Sequence, residues 1–165
     1  MIDNTGQVSA EFLFVFGVLI LIVMLSIVFV SDQQELNIAM SAARSGAIEG
    51  VGTSSSAIYQ EDTFRDYSYD KESLLMPYDV RIVNVSYNDL GYDVNYEKNW
   101  IRFEVYAKTS DRFDSDELVS IGDRINYNLR KSLALSFNST ASTNKLYNPV
   151  FSNHYVYTTA NVKWV

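Results

Sequence analysis

The chain has 165 residues, 47% of them hydrophobic, with no cysteine, one histidine and a formal net charge of −7. The cysteine count excludes disulfides, zinc–thiolate sites and thiol nucleophiles, and one histidine leaves no histidine pair for a metal. The acidic balance argues against nucleic-acid binding, because phosphates are bound by clustered lysine and arginine, so the composition favours a membrane-anchored or secreted structural protein over an enzyme.

The hydrophobic residues are concentrated near the N-terminus. Residues 12–30 (FLFVFGVLILIVMLSIVFV) carry no charge, and Ser26 is their one polar side chain. A helix of this length rises about 28 Å, close to the roughly 30 Å hydrocarbon core of a bilayer. The run therefore predicts a membrane-spanning helix. The positive-inside rule does not orient it, since no lysine or arginine precedes Arg44.

Three interpretations of this run are open. A cleaved secretory signal requires a basic N-terminal region, a shorter apolar core and small residues at the cleavage site. The run here is longer, has no base before it and ends in Val-Phe-Val-Ser-Asp. In the second interpretation, a signal anchor holds an external domain at the membrane. In the third, the helix is first a membrane anchor and later part of the core of a polymer.

The residues just before the run form a spaced motif. A small residue, Gly6, is followed by Gln7, Ser9 and Glu11. This spacing resembles the class III signal peptide of archaeal type IV pilins and pilin-like proteins, whose pattern is Q-x-S-x-E-x-x-x-L after a small residue. Val15 stands at the leucine position, and the leader, residues 1–6 (MIDNTG), lacks the lysine or arginine that is usual in the family.

The resemblance implies a processing step and a mode of assembly. In the family, a membrane-embedded prepilin peptidase cleaves ahead of the glutamine, which here is the Gly6–Gln7 bond. The resemblance also implies that Glu11 meets the N-terminal amine of a neighbouring subunit and sets the axial register of the filament. A carboxylate at the edge of an apolar segment is costly unless a partner neutralises it. The alternative for Glu11 is a hydrated position among lipid headgroups, with no role in assembly.

The helix is predicted to continue beyond the membrane. Residues 31–49 contain no proline, and an apolar stripe runs through Leu36, Met40 and Ala43. Two glycines and a serine-rich stretch after residue 49 mark the end of the helix. The sequence thus predicts a leader at 1–6, a long helix at 7–52 that spans the membrane at 12–30, and a head domain at 53–165 outside the cell.

The first part of the head is predicted to be a loop followed by strands. The loop covers 54–76, with a short helix near 71–75. Strands at 78–87, 92–96 and 100–108 are separated by turn residues at 88–91 and 97–99. In the third strand the side chains alternate between a wet face and an apolar face formed by Ile101, Phe103, Val105 and Ala107. The strands predict a three-stranded antiparallel meander.

A second helix and a last strand complete the predicted head. Residues 114–117 (DSDE) supply a helix cap and an acidic first turn. Apolar side chains then recur at spacings of three or four: Leu118, Ile121, Ile125, Leu129 and Leu133. A polar loop spans 138–149, and 155–164 is predicted as a strand with Val156, Ala160, Val162 and Trp164 on one face. The predicted fold class is α+β: a long hydrophobic N-terminal helix and a small antiparallel-sheet head with one further helix.

The sequence contains no recognisable catalytic or metal-ligating pattern. His154 has no catalytic neighbour and is predicted to lie at the surface or at a strand edge. The acidic pairs Glu61–Asp62 and Asp114 with Asp116 do not match a calcium loop, and the second pair fits a helix cap better. No phosphate loop, nucleophile elbow or dinucleotide fingerprint occurs, so no catalytic residue, metal or cofactor is predicted.

Two Asn-x-Ser/Thr sequons begin at Asn84 and Asn138. If the head lies outside the cell, both are candidate glycosylation sites. Asn138 falls in a predicted loop and is the better acceptor. Asn84 falls in the middle of a predicted strand and would have to face water.

We expect a structural subunit of a type IV pilus-like surface filament, held first in the membrane with an extracellular head. The expected partners are copies of itself or other pilins, a prepilin peptidase, and the membrane before assembly, with no nucleic acid and no small-molecule substrate. The alternative is a single-span surface or binding protein that does not polymerise. A filament subunit would pack residues 12–30 against copies of itself, whereas an anchor would pack them against lipid.

Overall fold

The computed structural model describes residues 5–52, 80–109 and 113–165. Within these ranges the chain forms two helices, α1 (Thr5–Gly52) and α2 (Ser115–Ser136), and five strands: β1 (Val80–Asp93), β2 (Lys98–Thr109), β3 (Val150–Phe151), β4 (Tyr155–Thr159) and β5 (Lys163–Trp164). The α+β fold class is confirmed. The predicted loop at 54–76 and short helix at 71–75 lie outside the described residues.

The chain divides into two compact units, with the boundary between Asn37 and Ile38. Helix α1 covers the whole of the predicted helix at 7–52 and crosses this boundary. The part of α1 after the boundary belongs to the same unit as the sheet and α2. Four small side chains in that part are buried: Ala39, Ala42, Ala43 and Ala47. These small residues therefore form a packing face, which includes Ala43 of the predicted apolar stripe.

Two glycines bring α1 into direct backbone contact with α2. A Cβ atom added at Gly46 would lie 2.5 Å from the carbonyl oxygen of Asn128 and 2.7 Å from the Cα of Leu129. One added at Gly50 would lie 2.8 Å from the Cα of Ile125. No real side chain fits at such distances. The spacing of four residues puts both glycines on one face of α1, which lets the two helix backbones approach closely.

Helix α2 has well-defined ends. Asp114 forms a capping box, in which its carboxylate accepts a hydrogen bond from the backbone N–H of Glu117 at 2.8 Å while the Glu117 side chain accepts from the N–H of Asp114 at 3.0 Å. At the other end Asn138 adopts a left-handed backbone with φ of 51°. The N–H of Ser139 then donates to the carbonyl of Ala134, which is the bond of a Schellman motif.

The sheet is mixed, with strand order β1–β2–β4–β3 and with β5 also paired to β2. Strands β1 and β2 form an antiparallel hairpin, whereas β4 and β5 run parallel to β2. The expectation of an antiparallel sheet is therefore wrong for β4 and β5, which run parallel to β2. Parallel neighbours require a long crossover. Helix α2 and the following loop, which the sequence did predict, provide that crossover.

The predicted meander is a single hairpin, because the first predicted strand continues through the predicted turn at 88–91 and ends only at Asp93. The predicted turn at 88–91 is a β-bulge, with one extra residue between the paired positions Asp89 and Tyr92. Gly91 supports it with φ of 82°, and its N–H donates to the carboxylate of Asp89 at 2.8 Å. Gly91 does mark a break in the regular strand, but the break is a bulge and not a reversal of the chain.

The actual turn lies at residues 94–97. It takes up most of the segment predicted as the second strand and overlaps the turn predicted at 97–99 only at Glu97. The carboxylate of Asp93 accepts hydrogen bonds from the N–H groups of Asn95 and Tyr96, at 2.7 and 3.2 Å. An aspartate that binds the backbone two and three residues later stabilises a turn. These two local hydrogen bonds favour a turn at 94–97, although the alternating aromatic pattern at 92–96 suggested a strand.

The core lies between one face of the sheet and α2. The apolar face predicted for β2 is confirmed, because Ile101, Phe103, Val105 and Ala107 are all at most 1% exposed. Four apolar residues of α2 are buried to a similar extent: Ile121, Ile125, Leu129 and Leu133. The fully buried ring of Tyr157 stacks on Phe137, with ring centroids 5.5 Å apart. Tyr157 thereby ties the sheet to the C-terminal end of α2.

The predicted last strand is interrupted. Strand β4 pairs Tyr155 with Asn99, but β5 pairs Lys163 with Tyr106, so one extra residue is inserted between them. The insertion reverses the alternation, and Val156 and Trp164 therefore lie on opposite faces of the sheet. The prediction of one common face is wrong, since a one-residue bulge moves every later side chain to the other face.

Candidate functional site

The pilin-like motif lies at the start of α1. Gly6 and Gln7 belong to the first turn of the helix, which begins at Thr5. Ser9 and Glu11 are exposed and lie on the same helix, directly before Phe12. The motif and the apolar run are therefore parts of one continuous helix, with Gln7 and Glu11 one turn apart.

The apolar run that follows the motif is uncovered. Its described large side chains are between 41% and 73% exposed. The helix is long and apolar enough to cross a membrane, and none of its most apolar window is buried within the chain. Burying one such side chain stabilises by about 1.5–3 kcal/mol, so the whole run represents on the order of tens of kcal/mol. A surface of this kind requires lipid or another apolar surface as its surroundings.

Details of the run fit an apolar environment. The hydroxyl of Ser26 donates to the carbonyl of Ile22 at 2.8 Å, so the one polar side chain has a partner within the helix. The rings of Phe12 and Phe16 stack with centroids 6.2 Å apart. A Cβ atom added at Gly17 would meet nothing within 4 Å, so this glycine leaves a notch on the helix surface. Small residues of this kind allow close approach of a second helix in a membrane.

The face of the sheet opposite α2 carries a polar cluster built around Glu104. This side chain was predicted on a wet face, but the residue is only 8% exposed. One carboxylate oxygen accepts from Asn88 at 2.8 Å, and the other accepts from Lys163 at 2.7 Å and Tyr106 at 3.2 Å. The Lys163 ammonium also lies 5.1 Å from the centre of the Tyr106 ring.

The ion pair between Glu104 and Lys163 shifts the pKa values of both residues. The hydrogen bond from Lys163 lowers the pKa of Glu104 from its ordinary value of 4.5, against the opposing effect of burial. The same bond raises the pKa of Lys163 from 10.5. Both groups are held in their charged forms by each other. The pair joins β5 to β2 and has a structural role.

Both sequons lie at the surface. Strand β1 has another bulge between the paired positions Ile82 and Asn84. Asn84 is exposed beside this bulge and is paired with Tyr106. Its register places it on the face opposite α2, so the strand position does not bury it. Asn138 is also exposed, at the end of α2. Its left-handed backbone gives this asparagine a structural role that is independent of any glycan.

The other polar residues singled out in the sequence form no catalytic arrangement among the described residues. His154 is exposed just before β4, and its carbonyl accepts from the N–H of Asn99 at 3.0 Å. Asp114 serves as the helix cap. Glu61 and Asp62 lie outside the described residues. In the part of the chain that the structure covers, no three acidic or histidine side chains are placed to hold a metal ion.

No known family, curated protein or solved structure matches this chain. Function is therefore argued from the site itself. The structure supports one coarse statement: the N-terminal apolar helix is compatible with a membrane-spanning segment. The feature that requires a partner is the exposed run at 12–30, which follows a spaced polar motif on the same helix.

Proposed function

We propose that this chain is a structural, non-enzymatic subunit of an archaeal type IV pilus-like surface filament. In this proposal the helix first anchors the chain in the membrane through residues 12–30, with the head outside. A prepilin peptidase cleaves between Gly6 and Gln7. The mature helix then leaves the membrane and packs against copies of itself or other pilins in the filament.

The observation that carries the proposal is the exposed apolar run directly after the Gln-x-Ser-x-Glu spacing. Apolar exposure by itself is explained equally well by an anchor in lipid. The carboxylate of Glu11 at the edge of the run favours assembly, because an ionised group entering a dry interface needs a specific partner. The new amine of a neighbouring Gln7 is such a partner. The notch at Gly17 gives a neighbouring helix a place for close contact.

The processing step is tested by the N-terminus of the mature protein. Expression in an archaeal host with an active prepilin peptidase should yield a chain that begins at Gln7, as read by mass spectrometry of membrane and sheared surface fractions. The same chain in a host without the peptidase should keep Met1. A mature chain that starts at Met1 in both hosts, or after residue 30, contradicts the proposal.

Assembly is tested separately with Glu11→Gln, which keeps the size of the side chain and removes its charge. Surface-filament yield should fall roughly tenfold or more, since each 1.4 kcal/mol of lost pairing energy is a factor of ten. Cleavage and membrane retention should be preserved. Glu35→Gln on the same helix, beyond the apolar run, is the matched control and should assemble normally. Wild-type protein that is cleaved but forms no filaments would instead identify a membrane-anchored surface protein.

A further inference from the structure

The head contains a groove of about 320 Å³ between the first half of α2 and the segment that leads into β5. Among the described residues, its apolar wall is formed by Leu118, Val119, Val162 and Trp164. Asp123 is the charged side chain of this described lining. An apolar hollow beside a single carboxylate fits a group that is itself partly apolar and carries a positive charge.

The floor of the groove is fixed by the bulge between β4 and β5. The side-chain amide of Asn126 donates to the carbonyl of Ala160 at 2.8 Å, and the N–H of Ala160 donates to the carbonyl of Phe103 at 2.9 Å. The Oδ1 atom of Asn126 is buried without a hydrogen-bond partner among the described residues, so it belongs to the floor and is not reached from the groove. A Cβ atom added at Gly122 would lie 3.4 Å from Val162, so the glycine leaves room above this floor.

The carboxylate of Asp123 is available to a partner. Asp123 is exposed, and no described residue forms a hydrogen bond or a salt bridge with it. Burial lowers the pKa of Arg130, and the nearby charge of Asp123 opposes this effect. The Arg130 guanidinium, however, donates its hydrogen bonds to the carbonyl of Leu146 and the hydroxyl of Thr159, at 3.1 and 2.6 Å. A further cation can therefore pair with Asp123.

A turn on the same head presents a basic and an apolar side chain next to each other. Residues 144–147 form a β-turn, closed by a hydrogen bond from the N–H of Tyr147 to the carbonyl of Asn144 at 2.9 Å. Lys145 and Leu146 are its two central residues. Lys145 is exposed, and Leu146 is 61% exposed. The turn thus carries the two properties that the groove fits.

The backbone of this turn has its hydrogen bonds within the head. The side-chain oxygen of Asn144 accepts from the N–H groups of Leu146 and Asn148, at 2.9 and 3.1 Å. The carbonyl of Leu146 accepts from Arg130. Because both backbone groups of Leu146 are paired, this residue can leave water without losing a backbone hydrogen bond. A turn that is already fixed also loses little conformational entropy when it binds.

Charge and shape distinguish this turn from other exposed apolar side chains of the head. Val94, in the turn between β1 and β2, is 80% exposed, but it follows Asp93 and would bring a like charge towards Asp123. Leu135 is 62% exposed and lies one helical turn after Lys131. Both of these belong to the surface of α2, and a helix face inserts less deeply into a groove than a two-residue turn does.

We propose that the groove of one copy of this chain receives Lys145 and Leu146 of a second copy. Leu146 lies against Trp164 and Val162, and the ammonium group of Lys145 pairs with Asp123. This contact joins heads and is separate from assembly through α1. Heads of chains anchored in a membrane can form it as well as heads in a filament, so the absence of filaments does not decide it.

Cysteine cross-linking tests the contact directly, because the chain has no cysteine of its own. Full-length chains with Leu146→Cys and full-length chains with Val119→Cys are expressed together in an archaeal host, and membranes and sheared surface fractions are oxidised. The mixture should give roughly fivefold more covalent dimer than either variant alone, since docking raises the effective concentration of the two thiols. Val94→Cys with Val119→Cys is the matched control. It should stay near background, although Val94 is more exposed than Leu146.

Charge reversal provides a second readout. Lys145→Glu in the Leu146→Cys chain should lower the yield about threefold, as expected for an exposed ion pair. Asp123→Lys in the Val119→Cys chain should then restore the yield. The reaction rate of each thiol with a small maleimide corrects for changes in thiol reactivity, and circular dichroism of the purified variants shows whether each is folded.

Three results would overturn the proposal. The first is no covalent dimer above background from Leu146→Cys and Val119→Cys in either fraction. The second is an equal yield when Val94→Cys replaces Leu146→Cys, which would show that exposure alone determines cross-linking. The third is a higher yield when Leu135→Cys replaces Leu146→Cys, which would identify the surface of α2 as the partner. A cross-link in membranes without any filaments would support the head contact and contradict only the filament function.

Discussion

The buried carboxylate of Glu104 is stable because three donors surround it. Burial of an ionised group is costly unless it is hydrogen-bonded and paired. Asn88, Tyr106 and Lys163 together satisfy both carboxylate oxygens. These donors come from β1, β2 and β5, so the cluster connects three strands on the face that α2 does not cover. A single charged residue thereby stabilises the arrangement of the sheet.

Glu104→Gln should change how the stability of the head depends on pH. The pKa of Glu104 is lowered in the folded state, so its contribution is present above about 4.5 and is lost as pH falls through the lowered value. The variant should therefore be less stable than wild type at pH 7, and the difference should shrink in acid. Urea unfolding of the full chain at several pH values measures this. Glu97→Gln, in the exposed turn, should follow the wild-type curve, and an unchanged difference at all pH values would contradict the prediction.

Asn138 has a backbone role at the end of α2 and is also a candidate glycan acceptor. Substitutions at Asn138 and Thr140 separate these two roles. Its φ of 51° is unfavourable for most side chains, so Asn138→Ala should lower the free energy of unfolding by about 1 kcal/mol. Asn138→Gly should be neutral or slightly stabilising. Thr140→Ala removes the same sequon and leaves the helix end intact. If a glycan is attached in the native host, Asn138→Gly and Thr140→Ala should lose the same mass, and equal stability of the Ala and Gly variants would contradict the backbone role.

At the scale of elements, the contact between α1 and α2 depends on the absence of side chains. Gly46→Ala places a methyl group 2.5 Å from a carbonyl oxygen, which forces the helices apart. Overpacking of this kind costs about 1–3 kcal/mol. Gly50→Ala should have a similar effect. Gly52→Ala, where an added Cβ meets nothing within 4 Å, is the matched control and should change stability by less than about 0.5 kcal/mol. Denaturant unfolding of the three variants distinguishes these outcomes.

The elements differ in how far the sequence alone predicted them. Both described helices followed from periodicity and caps, because the signals for a helix lie within a few residues of one another. The hairpin was misplaced, since the Asp-Leu-Gly signal at 89–91 is compatible with a turn or with a bulge. The bonds from Asp93 to the backbone decided where the chain reverses. The parallel pairing of β4 with β2 had no local signal at all.

At the scale of the whole molecule, we expect the sheet and α2 to depend on the part of α1 after Asn37, which packs against α2. A variant that begins at Ile38 should be soluble and folded, because it lacks the apolar run and keeps the buried alanines and both contact glycines. A variant that begins at Thr53 should lose cooperative unfolding, since it removes the helix that packs against α2. Circular dichroism, gel filtration and urea unfolding compare the two. Equal stability of the two variants would show that α1 is dispensable for the head.

The pilin-like interpretation stays a proposal that rests on local features. The motif residues Gln7, Ser9 and Glu11 and the run at 12–30 were evident from the sequence, because spacing and hydrophobicity are properties of adjacent residues. The groove beside Trp164 was not evident from the sequence. Its walls come from α2 and from the C-terminal segment, and the interruption between β4 and β5 that places them together is decided by long-range pairing with β2.

The sequence by itself determined the long helix, its apolar run, the cap of α2 and the buried face of β2. Each of these depends on local periodicity or on a few neighbouring side chains. Only the tertiary structure decided the mixed sheet, the two bulges of β1, the burial of Glu104 and the unpaired oxygen of Asn126. These features arise from contacts between residues distant in the chain, such as Glu104 with Lys163, whose energies depend on register and burial and are not visible in any short segment.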